Sequence, residues 1–288
     1  MENQKSSLEE KAVKKILQPK FSKSSILTIA LKQFDDRVEL PWIVYEDGKI
    51  HYEETVILYH VFQGRRKLKI EAFTDIIDTV KVHYPKRLDA IAIGFIGSIE
   101  NGLISLPNTA FDQMNMKEHL QERYQIPVVV MNNVNAAVLG WYSQQDRYKN
   151  IVFHSQSRGL LVGGQGIVLN GHLYEGKGSL AGEVRYFYRN IHSEQIHTYD
   201  GQYHPIRDPG RLIELLAKIF SMDIGILAPE VICVRCDMTP DMEEIRQEVL
   251  KYIPEKAMPE FVYIQNFEEY VFIGLYIEVI KMLEKKLM

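Results

Sequence analysis

Two cysteines, Cys233 and Cys236, are the only thiols in the chain. A Cys-x-x-Cys spacing can carry dithiol redox chemistry or supply half of a zinc site. No second ligand pair lies nearby, so the competing reading is two small residues of a strand. His192, His197 and His204 fall within one polar stretch. Imidazoles can hold a metal, but this spacing matches no standard site and equally describes a solvated loop. Gly163, Gly164 and Gly166 crowd together between two apolar runs, as in a tight hairpin. Asn108 and Asn132 can cap local turns and the helix that starts near Asn135, positions that asparagine favours. Asparagine and glutamate also suit recognition of hydroxyl groups, because each makes several hydrogen bonds.

The elements that position these residues follow from hydrophobic periodicity. Ser6 and Ser7 precede Glu9 and Glu10 with capping-box spacing, and Leu8, Ala12 and Ile16 then recur every four residues, so a helix is expected before Pro19. The runs SSILTIAL and VELPWIVYED read as antiparallel strands, with Gly48 in the turn that follows. A helix is expected around Glu71 to His83. The runs LDAIAIGFIG and IPVVVMN are apolar on both faces and each leads towards a helix, which marks the buried sheets of an α/β fold. NIVFHSQSRGLLVGGQGIVLNGHLYEG holds two strand-like runs, consistent with a hairpin. Helices are expected at 210–220, 240–252 and 274–287, with the short strands EVICVRC and FVYIQNF between them. Tyr270, Phe272, Tyr276 and Met282 read as core or subunit contacts.

At 288 residues the chain suits two compact lobes. Its 46% hydrophobic and 25% charged residues are those of an ordinary globular protein. A formal net charge of −4 gives no basic face for wrapping nucleic acid. The charged N-terminus lacks the apolar segment of a signal peptide, and no run reaches the ~18 apolar residues that span a bilayer. A cytoplasmic protein without membrane contact is expected.

Three blocks between Ile91 and Glu183 carry a family resemblance. IAIGFIGSIENGLISLPNTAF is similar to a glycine-ended strand that leads into a loop bearing Pro-Asn. PVVVMNNVNAAVLGWY resembles a strand and helix start whose usual form is Glu-Asn-Asp-Ala-Asn-Ala-Ala. GGQGIVLNGHLYEGKGSLAGE resembles a phosphate-binding hairpin followed by a sugar-contacting Gly-Glu. In this order and spacing they resemble the ROK family of repressors, open reading frames and sugar kinases. The resemblance implies a two-lobed actin-like ATPase (ribonuclease H-like) fold with a five-stranded sheet in each lobe. The expected lobes are residues 1–118 plus 275–288, and residues 119–274. It also implies sugar contacts at Asn108, Asn132, Asn133 and Glu183, and a phosphate-loop remnant at Gly163, Gly164 and Gly166.

Four elements depart from the family pattern. Where its first strand ends in Asp-x-Gly-Gly-Thr, this chain has Ala30 at the acid and Lys32 and Gln33 at the glycines. Asn133 occupies the position of the general base, and an amide cannot take the proton of a sugar hydroxyl. A positioned base contributes roughly 10²–10⁴-fold in rate. Arg185 and Tyr186 stand where the family has the Gly-His of its zinc site, and no cysteine cluster follows. Arg235, Cys236 and Asp237 replace the glycines that approach the nucleotide.

The resulting expectation is a non-catalytic, pseudokinase-like protein that binds a small carbohydrate or serves as a regulatory or interaction subunit. No catalytic residue, metal or cofactor is expected. ATP and magnesium enter only under the alternative of an active ATP-dependent, glucokinase-like hexose kinase. Another alternative is the lineage of NagC-like transcriptional regulators without their DNA-binding domain. Only 23 residues precede the first strand, room for one helix but not for a three-helix DNA reader of roughly ten residues per helix. Direct nucleic-acid binding is therefore not expected, and a homodimer is.

Overall fold

The computed structural model describes residues 24–34, 37–59, 68–107, 109–157, 163–184, 186 and 209–287. The helix expected at the N-terminus lies outside them. The chain forms two compact α/β units, residues 1–144 with 268–288, and residues 145–267.

The first unit is built on β1 (Ser25–Ala30), β2 (Lys32–Gln33), β3 (Arg37–Glu46), β4 (Lys49–Tyr59), β5 (Ala90–Phe95) and β8 (Val128–Asn132). Strand order is β2-β3-β1-β5-β8, with β4 on the other side of β3. β1, β5 and β8 are parallel, whereas β3 runs antiparallel to β1 and β4. The sheet has six strands and not the five expected, because β2 continues the line of β1 beyond Leu31 and keeps pairing with β3. A small ribbon, β6 (Ser98–Glu100) and β7 (Leu103–Ser105), stands beside it.

Strand alternation sorts this sheet into two unlike faces. Ile91, Ile93 and Phe95 of β5 join Leu27, Ile29, Val38 and Leu40 in one large apolar cluster. Helix α1 (Glu71–His83) supplies Phe73, Ile76, Ile77 and Val80 to it, and α2 (Met116–Tyr124) supplies Met116 and Leu120. Burying each such large side chain contributes about 1.5–3 kcal/mol. The opposite face of β5 carries Ala90, Ala92 and Gly94. Small residues there let α3 (Asn133–Tyr142) and α6 (Phe267–Leu287) come close to the strands. A Cβ on Gly140 would overlap the backbone carbonyl of Tyr270, and one on Gly274 would overlap that of Ala136. The two helices thus touch backbone to backbone.

Two expectations are corrected by this packing. The first lobe does not end at residue 118, since β8 bonds to β5 and α3 locks to α6, which carries the boundary to Gln144. The last helix does not start at Gly274. It starts at Phe267, and Gly274 is an interior contact point.

The second unit has a five-stranded sheet, as expected, in the order β11-β10-β9-β12-β13. Its strands are β9 (Ile151–Gln156), β10 (Gly164–Leu169), β11 (His172–Leu173), β12 (Val231–Cys236) and β13 (Glu260–Tyr263). β9, β12 and β13 are parallel, and β10 returns antiparallel to β9. Helices α4 (Pro209–Leu227) and α5 (Met242–Val249) cover one face. Leu216, Phe220, Ile245 and Val249 meet Val152, Ile232 and Val234 there.

Turn chemistry sets the hairpin registers. Asp47-Gly48, Asn101-Gly102 and Asn170-Gly171 all have positive φ at both residues, the primed turn that suits twisted two-residue hairpins. β4 is a long outer strand with most of its side chains exposed. The sequence patterns above did not isolate it, because Glu53-Glu54 interrupts its alternation.

Candidate functional site

Open α/β sheets bind ligands beyond the carboxyl ends of their parallel strands. In the first unit those ends are Ala30, Phe95 and Asn132. Asn132 caps α3: its Oδ1 accepts from the backbone N–H of Val134 at 2.7 Å and of Asn135 at 3.3 Å. Its Nδ2 donates to the Gly97 carbonyl at 2.8 Å. Asn133 is buried, and its Nδ2 donates to the Leu31 carbonyl at 2.7 Å. Its Oδ1 lies against Gly94 and has no hydrogen-bond partner among the described residues. The pair expected to meet a sugar is thus used first as a helix cap and as a strand-to-helix tie.

At the same rim β1 runs straight on into β2. Ala30 and Leu31 are buried. Lys32 forms ion pairs with Glu39 at 3.3 Å and Glu268 at 2.6 Å. A phosphate cradle needs open backbone amides, and here the chain is an extended strand whose lysine is already neutralised. These residues do not fit a nucleotide phosphate or its metal. Asn108 lies outside the described residues, as do Asp35 and Asp36, the nearest acids in sequence.

The second unit holds the other candidates. Gly164 and Gly166 belong to the β10 ladder, opposite Ser155 and Phe153. Gly163 precedes the ladder, and a Cβ there would overlap the Ser155 carbonyl. Glu183 is half-buried at the centre of a γ-turn, in which Val184 N–H donates to the Gly182 carbonyl at 2.9 Å. At the end of β12, Arg235 donates to Ser157 Oγ at 2.8 Å, pairs with Asp237 at 2.6 Å and lies over the Phe267 ring. Where the resemblance places nucleotide-facing glycines, an ion pair fills the space.

Cys233 and Cys236 lie three apart on β12, so their side chains point to opposite faces. Both are buried, and burial pushes both thiols above the usual range. Such thiols are poor nucleophiles and poor metal ligands. Tyr186 is exposed, and His192, His197 and His204 fall outside the described residues. No cluster of three His, Cys, Asp or Glu side chains able to hold a metal occurs among the described residues. Nor is any described helix long and apolar enough to cross a membrane.

Sequence reasoning missed a buried polar group under α4. His154 is wholly buried beside the Gln156 side chain, which opposes the effect of burial, and neither ring nitrogen makes a well-formed hydrogen bond among the described residues. Burial holds its pKa down at about 4. Across the ladder from it, Gln165 donates to Asp223 of α4 at 2.7 Å. Burial raises the Asp223 carboxyl to about 7, against the opposing effect of that hydrogen bond. The legible signal was a lone aspartate among the core positions of an apolar helix, Leu216, Ile219, Phe220 and Ile224.

Residues 42–194 match the ROK family model. The chain belongs to the ROK family. The xylose repressor of Bacillus subtilis is 31% identical over 151 residues, which are 49% of this chain and 38% of that protein. The chain spans little more than a third of the length of the curated relatives it matches. Two solved ROK structures show the same actin-like fold. One is a Streptomyces griseus glucokinase in complex with glucose and AMPPNP, with a TM-score of 0.61, 17% identity, and 88% of this chain and 98% of that chain covered. The other is a ROK transcriptional regulator, a homologue of E. coli MLC. Its TM-score is 0.61 at 14% identity, with 89% of this chain and 80% of that chain covered.

Proposed function

We propose that this ROK protein is catalytically silent and that its remaining chemistry is recognition of a small sugar, of the xylose or glucose class. The Asn133–Leu31 hydrogen bond carries the first half of this reading. A base must be free to take a proton, whereas Asn133 presents an amide N–H already committed to a backbone carbonyl at 2.7 Å. The ion-paired Lys32 and the Arg235–Asp237 pair support it, since neither leaves a neutral, glycine-lined surface for ATP. Phosphoryl transfer rests almost wholly on positioning and charge neutralisation, so no magnesium-nucleotide step is assigned.

The second half rests on Asn132, Asn133 and Glu183 at the family's sugar-contact positions, and on the xylose repressors among the relatives. Those repressors also favour a sensing role over a purely structural one. A homodimer without direct nucleic-acid contact completes the reading.

A thermal-shift screen with D-xylose, D-glucose, N-acetylglucosamine and Mg-ATP tests it. A sugar at one hundred times its dissociation constant should stabilise the protein by about 2.7 kcal/mol, and Mg-ATP should leave it unmoved. Turnover of any of these sugars with ATP at about one per second, a low kinase rate, would overturn the silent reading. Failure of every sugar to shift the transition would overturn the recognition reading.

A further inference from the structure

We propose that Asp223 is a positioning residue for the Glu183 turn, acting through both the side chain and the backbone of Gln165. The inference deepens the carbohydrate reading and rests on it, because Glu183 stands at one of the family's sugar-contact positions.

The argument follows one chain of contacts within that unit. Gln165 is buried in β10 and makes two attachments in different directions. Its side-chain Nε2 donates to Asp223 Oδ2 at 2.7 Å, tying the strand to α4. Its backbone N–H donates to the Gly182 carbonyl at 2.9 Å. That carbonyl also accepts from Val184, closing the γ-turn around Glu183. Gly182 has φ +85° and lies so close to Gln165 that a Cβ would overlap the Gln165 carbonyl. Gly182 has no side chain with which to anchor itself, so its bond to Gln165 is one of the ties that place the turn, beside the Glu183 N–H donating to the Leu180 carbonyl at 3.2 Å and the packing of Val184.

Two further contacts fix the anchor. Val184 packs into the apolar cluster of α4, and His154, opposite Gln165 in the ladder, meets the Phe220 ring edge-on at 5.4 Å. Phe220 lies one turn before Asp223 on α4. A buried carboxyl is costly to keep inside a protein, and among the described residues its hydrogen bond runs to Gln165, whose backbone is bonded to the turn.

The test separates anchoring from simple core filling. Backbone hydrogen exchange is measured, without ligand, at Gln165 and Val184 and, as internal controls, at Ile167 and Val168. Asp223→Leu fills the core but cannot accept from Gln165. It should speed exchange at the first two amides by about five- to tenfold relative to the controls, the ratio expected for one lost buried hydrogen bond. Asp223→Asn keeps an acceptor and should stay within about twofold of wild type. Gln165→Met removes the same bond from the strand side and should reproduce the Asp223→Leu pattern, which guards against a helix defect in that variant. Equal exchange at all four amides in Asp223→Leu, or an Asp223→Asn variant as fast as Asp223→Leu, would overturn the proposal. Affinity for a sugar found in the screen should fall in the order wild type, Asp223→Asn, Asp223→Leu. The exchange readout needs no sugar, so loss of the carbohydrate reading and loss of the anchor produce different results.

Discussion

The carboxyl-end rim of the first unit and the α4-covered face of the second both bury polar side chains, and they use them in opposite ways. At the rim, Asn132 and Asn133 are neutral amides wired to backbone groups of two neighbouring segments. Under α4, His154 and Asp223 are titratable groups held off their usual pKa values by burial. A neutral amide carries its burial cost unchanged across pH, whereas an ionisable group stores its desolvation cost as a dependence on pH. The first region spends its polar groups on ties to backbone, and the second holds groups whose protonation responds to pH.

The sharpest way to break the first region is through the helices beneath it. Gly140→Ala or Gly274→Ala would drive a methyl into a backbone carbonyl of the partner helix. Each should cost more than about 3 kcal/mol in denaturant unfolding, because neither helix can retreat without lifting from the sheet. Gly225→Ala on α4, with open space around it, should instead be neutral or stabilise by up to about 1 kcal/mol.

The second region should respond to pH with two opposed slopes. The His154 pKa is lowered from 6.5 to about 4, so the unfolded chain binds the proton first and stability rises as pH climbs through that window. The Asp223 pKa is raised from 3.8 to about 7, so the folded chain keeps its proton longer and stability falls as pH climbs towards 7. The two contributions offset each other up to pH 6.5, where the His154 window closes. Unfolding curves of His154→Leu, compared with wild type, should tilt downward with rising pH, and those of Asp223→Asn should tilt upward. Parallel curves for all three proteins would mean that neither group is buried as described.

A more local change sharpens the role of Asn133. Asn133→Asp sets a carboxylate oxygen against the Leu31 carbonyl, where a donor stood before. It should lose about 1–3 kcal/mol of stability and gain no phosphoryl transfer in an ATP-coupled assay. A variant as stable as wild type would show that the amide is not a tie.

How legible all this was differs by region for a physical reason. The parallel strands, the hairpin and the α/β class could be read from apolar runs and turn residues, because those signals are local. Asn132 could be read as a cap for the same reason. The boundary at Gln144 could not, since it depends on β8 pairing with β5 and on α6 returning to meet α3. Asp223 was hidden because its meaning comes from Gln165, 58 residues away. Gly274 was misplaced as a helix start because a glycine that punctuates a helix and one that admits a neighbour look alike in sequence.

The outer strand β4 bears on how the protein keeps company with copies of itself. Among the described residues its outer edge bonds to no other strand, and it runs for 11 residues without a proline. Such an edge is a ready template for fibril-like stacking. Glu53 and Glu54 stand exposed in its middle, so two edges brought together would confront like charges at the centre of the new ladder. The same pair that blurred the strand in the sequence thus acts as a gatekeeper, favouring dispersed molecules over sheets that grow without end.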